Sequence, residues 1–245
     1  MEELSPQRTA TGAIPASRPS SRAATPASVT SVARSRALGT DRRVYESTKR
    51  LTDVVGSAAL LVLLSPFMLA IAVGIGVDSG LPILYRGQRL GRGGRAITVH
   101  KFRTMYDGSH HHLEELLTAQ EEYRLEYATK RKLRGDPRRT RVGVFLRRTS
   151  LDELPQLWNV LRGDMSLVGP RPYMPGELDA VPNAPELLSV RPGITGLWQV
   201  SGRSDLTFQQ RISLETDYVR RRSWGLDLWI AVRTLGAVIS GRGAY

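Results

Sequence analysis

The longest apolar run of the sequence, VVGSAALLVLLSPFMLAIAVGIGV, covers residues 54–77 and contains 24 residues without a charge. A helix of about 20 apolar residues is long enough to cross a bilayer. Ser65-Pro66 stands at the middle of the run. Proline removes one backbone donor and disturbs the carbonyl four residues back, at Val62. The pattern predicts a membrane helix broken at Ser65-Pro66, in which Ser65 can bond a freed carbonyl.

The charges around this run decide between two topologies. Basic residues flank it on both sides, at Arg42, Arg43, Lys49 and Arg50 before it and at Arg86, Arg89, Arg92 and Arg95 after it. Because positive charge favours the cytoplasmic side, a spanning helix has no preferred direction. A re-entrant helix, which enters and leaves on the cytoplasmic side, satisfies both flanks. The residues alone leave the re-entrant and the spanning interpretation open.

Shorter patterns beyond the apolar run predict a helix-rich α+β domain. Alternation with glycine breaks predicts a β-hairpin with strands near 82–90 and 96–104. Helical spacing predicts helices over 109–133 and 207–222, and a short helix over LPQLWNVL. The stretches GDMSLVGPRPYMPG and RPGITGLWQVSGRS are predicted to be loops, because proline and glycine interrupt them.

The two ends of the chain differ in character. Residues 1–42 are rich in Ala, Ser, Thr, Pro and Arg without an apolar period, which predicts a disordered basic tail. The C-terminal WGLDLWIAVRTLGAVI has apolar positions at helical spacing, with Trp224 and Trp229 near its start. Core packing and an interfacial membrane helix both fit that pattern.

The charge balance points to an anionic partner. Lys and Arg number 35 against 23 Asp and Glu, a net charge of +12, which suits nucleic acid, an anionic membrane or phosphorylated substrates. Aromatic residues make up only 7% and do not interleave with the basic runs, which weakens a single-strand-binding interpretation. The absence of cysteine excludes thiolate metal sites and cysteine nucleophiles.

The densest basic run leads into two adjacent acids. Between residues 130 and 148, nine Lys and Arg accompany a single acid, Asp136. Such a run is commonly a solvated face, but its position directly before the acidic pair favours contact with a polyanion or with lipid headgroups. Asp152 and Glu153 follow in SLDELPQLW. Ser-x-x-Glu is a capping box, but Pro155 would then be the fifth helical residue, where its missing donor is unfavourable.

The helix is therefore predicted to begin near residues 152–154, with both acids at its N-terminus, where the dipole favours carboxylates and phosphate. Adjacent residues point in different directions, so the two acids are expected to have different roles. A carboxylate can attack phosphorus when Mg²⁺ and arginines neutralise the phosphate. On chemistry alone, capping and catalysis both stay open. Arg171, Arg191 and Arg203, in the stiff loops, suit phosphate binding.

Five stretches together resemble one family. They are KRLTD (49–53), the apolar run with Ser65-Pro66, KFRTM (101–105), SLDELPQLWNVLRGDMSLVGPRP (150–172) and RPGITGLWQVSGR (191–203). Over about residues 43–245 the chain resembles the bacterial sugar transferases that are monotopic polyprenyl-phosphate phosphoglycosyl transferases. Larger members carry an N-terminal multi-span region, so the chain resembles the minimal catalytic form or a fragment.

The resemblance implies an organisation in three parts. Residues 1–42 are the tail, 43–80 form a juxtamembrane segment and a re-entrant helix, and 81–245 form a catalytic domain facing the cytoplasm at the bacterial inner (cytoplasmic) membrane. Interfacial amphipathic helices are implied as well. Residues 106–135, which include the tract of three histidines, look like a charged insertion in the catalytic domain.

The resemblance also implies an activity: transfer of a sugar-1-phosphate from a UDP-sugar to polyprenyl (undecaprenyl) phosphate, with release of UMP, as the first membrane step of a surface glycan pathway such as exopolysaccharide biosynthesis. Asp152 is implied as the nucleophile of a covalent aspartyl-phosphosugar intermediate, with Glu153 beside it and Mg²⁺ at Asp152. The residues implied in phosphate or substrate binding are Arg147, Arg171, Lys101, Arg103, Gln199 and Arg203, and those at the lipid phosphate or headgroups are Lys49, Arg50 and Asp53.

The partners expected on this basis are the UDP-sugar, the polyprenyl phosphate and membrane lipid; a homo-oligomer is left open. Nucleic acid is not expected, because the sequence shows no recognised nucleic-acid-binding motif. The alternative is a single-span, membrane-anchored basic domain that binds nucleic acid or anionic lipid without catalysis.

Overall fold

The computed structural model of the protein describes residues 27–130, 133, 135–202 and 206–240. The helices in this part of the chain are α1 (Ala27–Ser79), α2 (Ser109–Ala119), α3 (Glu121–Lys130), α4 (Arg141–Thr149), α5 (Gln156–Arg162), α6 (Ala184–Leu187), α7 (Leu197–Ser201), α8 (Phe208–Arg221) and α9 (Trp224–Ser240). The strands are β1 (Leu84–Leu90), β2 (Ala96–Phe102), β3 (Ser166–Val168) and β4 (Gly193–Thr195).

The chain divides into two compact units, residues 1–43 and residues 44–245. Helix α1 begins at Ala27, inside the segment predicted to be a disordered tail. Extending an existing helix adds one hydrogen bond per residue without a new nucleation step, so such a segment can continue a helix that the apolar run has started. The part of the predicted tail before residue 27 lies outside the described residues.

Helix α1 contains the apolar run. Within the described residues, the part of α1 from Arg42 to Ser79 is the one helical stretch long and apolar enough to cross a membrane. The mean hydropathy of its most apolar 18 residues is 2.5. The helix predicted to break at Ser65-Pro66 instead continues through these residues, with Pro66 inside it. Ser65 Oγ donates to the Val62 carbonyl at 2.8 Å, which gives that carbonyl the partner that proline cannot supply. The predicted bond from Ser65 to the carbonyl that Pro66 leaves free is therefore confirmed.

Both ends of the apolar run bond to other parts of the second unit. At the start, Asp53 Oδ1 accepts from the Leu167 backbone N–H at 3.0 Å. At the end, Asp78 Oδ2 accepts from the Val142 backbone N–H at 3.0 Å, and Ile75 lies fully buried in a cluster with other apolar side chains of that unit. Between these two attachment points α1 has exposed apolar side chains, at Val55, Val62, Leu63, Leu69, Val73 and Val77.

The β-structure consists of two small pairs. Strands β1 and β2 form the predicted antiparallel hairpin, in which Tyr85 is opposite Lys101. Strands β3 and β4 pair in parallel, which the sequence did not indicate because three-residue strands carry no readable period. Gly169, which follows β3, lies so close to Gly193, the first residue of β4, that a Cβ on Gly193 would stand 2.1 Å from the Gly169 nitrogen. Residue 193 therefore has to be glycine.

The predicted helix over 109–133 is wrong in one respect, because the structure breaks it into α2 and α3. Gln120 between them is extended, although its N–H still bonds the Leu116 carbonyl. Glu121 and Glu122 then occupy the first turn of α3, where acids favour a helix start. The helices predicted over 207–222 and at the C-terminus are confirmed as α8 and α9. Thr207 and Gln210 cap α8 reciprocally.

Candidate active site

The two adjacent acids lie in a tight turn between α4 and α5. Ser150 ends α4 in the left-handed conformation (φ 59°, ψ 18°) and makes no side-chain capping bond. Leu151–Glu153 form a single 3₁₀ turn, and α5 begins at Gln156 with Pro155 at its N-cap. The capping box is therefore absent, as Pro155 indicated, and the helix starts later than the predicted residues 152–154.

Strand β2 places a cation against this turn. Lys101 Nζ donates to Glu153 Oε1 at 2.7 Å. The fully buried Asn159 of α5 fixes the same strand, since its Oδ1 accepts from the His100 N–H at 3.0 Å and its Nδ2 donates to the Thr98 carbonyl at 2.7 Å. These bonds hold the start of α5 at a set distance from β2, and so hold the acids beside Lys101.

Asp152 has an unusual electrostatic environment. Burial disfavours its ionised form and raises its pKa to about 6, Lys101 and Arg147 oppose the rise, and the neighbouring Glu153 adds to it. A carboxylate with a raised pKa is a better nucleophile than an ordinary aspartate, provided that it is ionised. The charges of Lys101 and Arg147 therefore favour the ionised form of this partly buried carboxylate near neutral pH.

Helix α4 supplies Arg147. Its Nε donates to Thr104 Oγ1 at 2.9 Å. Burial and the charge of Arg139 lower its pKa, while Asp152 raises it. The helix can lie this close to the end of β2 because residue 143 is glycine, where a Cβ would stand 2.1 Å from the Thr104 carbonyl oxygen. Four predicted site residues, Lys101, Arg147, Asp152 and Glu153, are thus brought together.

The Pro-Arg-Pro loop is fastened by a residue that sequence reasoning missed. Glu215 of α8 is almost completely buried, at 1% exposure. It accepts from the Arg171 backbone N–H at 2.8 Å and from the Tyr173 hydroxyl. The Arg171 guanidinium donates to Glu177 at 3.1 Å. Burial raises the pKa of Glu215 to about 7, because the ionised carboxylate is unfavourable at a buried position. Its two hydrogen bonds fix the backbone of the loop.

The other predicted site residues have structural partners. Arg103 is buried and donates to the carbonyls of Ser79, Gly80 and Leu81 at 2.6–3.1 Å, closing the end of α1. Gln199 Nε2 lies 3.3 Å from the Ile194 carbonyl. Arg203 lies outside the described residues.

The three juxtamembrane residues likewise bond to protein groups. Lys49 pairs with Asp227 at 2.6 Å, and Arg50 donates to the carbonyls of Val160 and Leu161. Asp53 bonds Leu167, as described above. The KRLTD motif therefore fastens this part of α1 to the rest of the second unit. The Asp227 carboxylate, which pairs with Lys49, also accepts hydrogen bonds from the hydroxyls of Tyr45 and Tyr218, at 2.9 and 2.8 Å.

Replacing Arg103 should mainly affect stability. Arg103→Gln removes the hydrogen bonds that close α1, and charged hydrogen bonds contribute about 1.5–3 kcal/mol each. The expected result is a thermal unfolding midpoint lower by about 5–10 °C, measured by intrinsic fluorescence. Arg86→Gln, on the exposed side of β1, serves as the control and should change the midpoint little. An unchanged midpoint in Arg103→Gln would contradict the helix-closing role.

The acidic turn fits a magnesium ion only in part. Within the described residues, no group of three or more histidine, aspartate or glutamate side chains could hold a metal ion. Mg²⁺ needs fewer, because it is commonly bound by one or two carboxylates together with substrate phosphates and waters. Asp152 supplies such a carboxylate. Burial, and after it the neighbouring Glu153, raises its pKa, and a cation beside it would favour the ionised form. The donor chemistry therefore fits a magnesium–phosphate complex rather than a closed protein site.

Comparison with known proteins identifies the family. Residues 44–241 match the bacterial sugar transferase family, and the chain belongs to it. The chain is 44% identical over 198 residues to the UDP-galactose-lipid carrier transferase of Erwinia amylovora, a match that covers 80% of this chain and 41% of the relative.

Other relatives match at similar identity. The exopolysaccharide production protein ExoY of Rhizobium meliloti (strain 1021) is 41% identical over 208 residues, covering 84% of this chain and 92% of the relative. The UDP-glucose:undecaprenyl-phosphate glucose-1-phosphate transferase of Caulobacter vibrioides is 40% identical over 216 residues, covering 83% and 74%. The chain thus spans less than half of the Erwinia relative and most of the other two.

Proposed function

We propose that the protein transfers a sugar-1-phosphate from a UDP-sugar to polyprenyl (undecaprenyl) phosphate through a covalent intermediate on Asp152. The observation that carries the proposal is the position of Asp152 and Glu153 in the turn between α4 and α5, where Lys101 of β2 bonds Glu153 at 2.7 Å and the charges of Lys101 and Arg147 act on Asp152. This arrangement suits a nucleophile. Family membership and the printed names of the relatives support the reaction class.

The first step forms an aspartyl-phosphosugar. An ionised Asp152 oxygen attacks the β-phosphorus of the UDP-sugar, and the bond from that phosphorus to the bridging oxygen breaks. UMP leaves with the bridging oxygen and the electron pair of that bond. Arg147 and Lys101 offset the negative charge that gathers around Asp152, and Glu153 is held by Lys101 so that it does not compete as a nucleophile. Bound Mg²⁺ would neutralise the diphosphate and hold it against Asp152.

The second step regenerates the carboxylate. An oxygen of polyprenyl phosphate attacks the phosphorus of the intermediate, the acyl-phosphate bond breaks, and the electron pair returns to Asp152. The product is a polyprenyl diphosphate sugar. The rigid Pro-Arg-Pro loop, fastened through Glu215, is proposed to present Arg171 to a phosphate, which requires exchange of its bond to the partly exposed Glu177.

The attachment of α1 at both ends of the apolar run supports a re-entrant membrane helix. Asp53 and Asp78 bond the same compact unit, and a helix that spanned the bilayer between them would require that unit on both sides of the membrane. The enzyme is proposed to lie on the cytoplasmic face of the bacterial inner membrane. Exposed apolar side chains of α9, at Trp224, Leu228, Val232 and Leu235, support an interfacial position for that helix as well.

The released nucleotide tests the reaction directly. The proposed mechanism demands UMP, whereas an ordinary glycosyltransferase using the same donor would release UDP. Purified protein is incubated with UDP-sugar, polyprenyl phosphate and Mg²⁺, and the nucleotides are separated by chromatography. UMP in equal amount to the lipid product is expected. UDP as the product would exclude the mechanism, and nucleic-acid binding without nucleotide turnover would favour the anchored binding domain.

Accessibility of inserted tags tests the topology. A tag before Lys49 and a second tag in the exposed turn at Gly108 should both be protected from impermeant reagents in intact cells, and both should react after the membrane is opened. A tag in an external loop of an unrelated membrane protein confirms that the reagent is active. Reaction of only one of the two tags in intact cells would indicate a spanning helix.

The pH dependence of the first step follows from the raised pKa of Asp152. The reactive form is the ionised one, so the rate of UMP release in a single turnover at fixed Mg²⁺ should rise with pH through about 6 and level off above it. Lys101→Gln removes a charge that lowers this pKa, so the midpoint should move to higher pH. Arg141→Gln, an exposed position on α4, should leave the midpoint in place. An unchanged midpoint in Lys101→Gln would contradict this electrostatic role.

A further inference from the structure

A second cationic site lies at the other end of α5 from the acidic turn. A cavity of about 40 Å³ opens there between the start of the apolar run of α1, the turn after β1, β3 and the segment before β4. One water needs about 10–15 Å³ on the same scale, so the cavity has room for a small tetrahedral anion. Its charged lining consists of the five cations Lys49, Arg50, Arg92, Arg191 and Arg222 and the two acids Glu46 and Asp53.

The acids do not satisfy all of these cations. Arg191 donates through Nε to the Gly163 carbonyl at 3.0 Å, and within the described residues no protein group accepts from its two terminal nitrogens. Burial and the charges of Arg50 and Arg92 lower its pKa. Arg92 has a single acidic partner among the described residues, Glu46, at 3.9 Å, and that acid is already bonded to Arg222 at 2.9 Å.

Arg222 provides a second, independent sign of a ligand. Its side chain is only 9% exposed and lines the cavity. Two of its nitrogens bond Val219 and Glu46, but Nε is buried without a partner among the described residues. A buried donor that is left unsatisfied costs about 1–3 kcal/mol. An anion in the cavity would offer an acceptor to the donors of the arginines that line it and would reduce the repulsion among them.

We propose that this cavity binds the phosphodiester headgroup of an anionic phospholipid. A phospholipid is the favoured source of phosphate because Tyr45, Lys49 and Asp53, which line the cavity, lie on α1 in the segment 45–53 that leads into the apolar run. Basic pockets at that position relative to a membrane helix bind acidic headgroups. The proposal rests on the membrane association put forward above, and it gives that association a lipid preference.

The site is separate from the reaction centre. Arg50 and Arg191 reach the carboxyl end of α5, at Val160, Leu161 and Gly163. Asp152 lies before the other end, and the 7 residues of α5, at about 1.5 Å each, span about 10 Å along the helix axis. A phosphate held in the cavity is therefore out of reach of Asp152, so it is not the acceptor phosphate.

The binding test uses the full chain in an uncharged detergent. Its thermal unfolding midpoint is titrated with dihexanoyl phosphatidylglycerol, with dihexanoyl phosphatidylcholine and with inorganic phosphate. A ligand that binds only the folded protein raises the midpoint in a saturable manner. The expected result is a saturable rise with phosphatidylglycerol, little change with phosphatidylcholine and a weaker response to inorganic phosphate.

Two neighbouring arginines provide the variant and its control. Arg92 and Arg95 have similar exposure, 50% and 57% of their side chains, but only Arg92 lines the cavity. Arg92→Gln should weaken phosphatidylglycerol binding about tenfold, equivalent to about 1.4 kcal/mol, and Arg95→Gln should not. Arg191→Gln should also weaken phosphatidylglycerol binding, and because it loses the bond to Gly163 it should have a lower midpoint without ligand.

Each contrary outcome overturns the inference in a different way. Equal weakening in Arg92→Gln and Arg95→Gln would mean general electrostatic attraction. Inorganic phosphate as effective as phosphatidylglycerol would mean a free-phosphate site, and the absence of any shift would mean no site. Because the measurement needs no sugar nucleotide, its failure is distinguishable from failure of the proposed reaction.

Discussion

Asp152→Asn is expected to reduce UMP release by at least about 10³-fold, because the substitution removes the attacking oxygen while keeping the size of the side chain. The substituted amide would still fill the turn, so the thermal midpoint should change little. Burial of the wild-type carboxylate is unfavourable, as its raised pKa shows, and the neutral amide avoids that penalty. Loss of activity with retained stability is therefore the signature of a nucleophile.

Two comparisons make this result specific. Glu153→Gln should reduce the rate about 10²-fold, the lower end of the range for a proton-transfer group. Asp217→Asn, which removes an exposed acid that pairs with Arg221 on α8, should leave activity unchanged. A Glu153→Gln variant without detectable turnover, beside an Asp152→Asn variant that keeps measurable turnover, would reverse the roles of the two acids.

Glu215→Leu is expected to have the largest effect on stability. It leaves two buried donors, the Arg171 backbone N–H and the Tyr173 hydroxyl, without their acceptor. At about 1–3 kcal/mol for each unsatisfied donor, the loss is about 2–6 kcal/mol. Glu215→Gln keeps the volume and one acceptor oxygen, so it should lose less. The loop that carries Arg171 should be displaced in Glu215→Leu, which should lower activity even at temperatures where the variant is folded.

The pH dependence of stability distinguishes the ionisable carboxyl group of Glu215 from the neutral amide of Glu215→Gln. Burial raises the folded-state pKa of Glu215 to about 7, above its ordinary value of 4.5. The folded state therefore binds the proton of Glu215 more tightly than the unfolded state does. The resulting contribution to the free energy of unfolding is fully present below about pH 4.5 and is lost as the pH rises towards 7. Glu215→Gln should reduce that fall in stability, measured by denaturant unfolding between pH 5 and 8. Glu177→Gln, with a partly exposed carboxylate, is the control.

Local patterns were sufficient for much of the fold. The hairpin β1–β2 and the helices α5, α8 and α9 follow from alternation, helical spacing and the position of Pro155, all of which act within a few residues. The β3–β4 pair could not be predicted in this way, because its two three-residue strands are held by the close approach of Gly169 and Gly193. The only sign of this long-range contact in the sequence is the glycine at each of the two positions.

The candidate site was predictable in its chemistry and less so in its partners. Lys101 and Arg147 do flank the acidic pair, whereas Lys49, Arg50 and Arg103 bond backbone carbonyls or a buried carboxylate. A basic residue in a sequence indicates a charge but does not indicate whether that charge meets a phosphate or a helix end. Glu215 could have been noticed in the sequence, because it is an acid at helical spacing from the apolar residues that α8 buries. The loop that it binds is evident only from the structure.

Covalent labelling tests the central claim most directly. The protein is incubated with Mg²⁺ and a UDP-sugar labelled in the β-phosphate, without polyprenyl phosphate, and digested peptides are examined by mass spectrometry. A phosphosugar adduct on Asp152 is expected, formed with release of UMP, absent from Asp152→Asn and discharged when polyprenyl phosphate is added. Label that remains on the Asp152→Asn protein, or that is found on another residue of the wild-type chain, would contradict the assignment of Asp152 as the nucleophile.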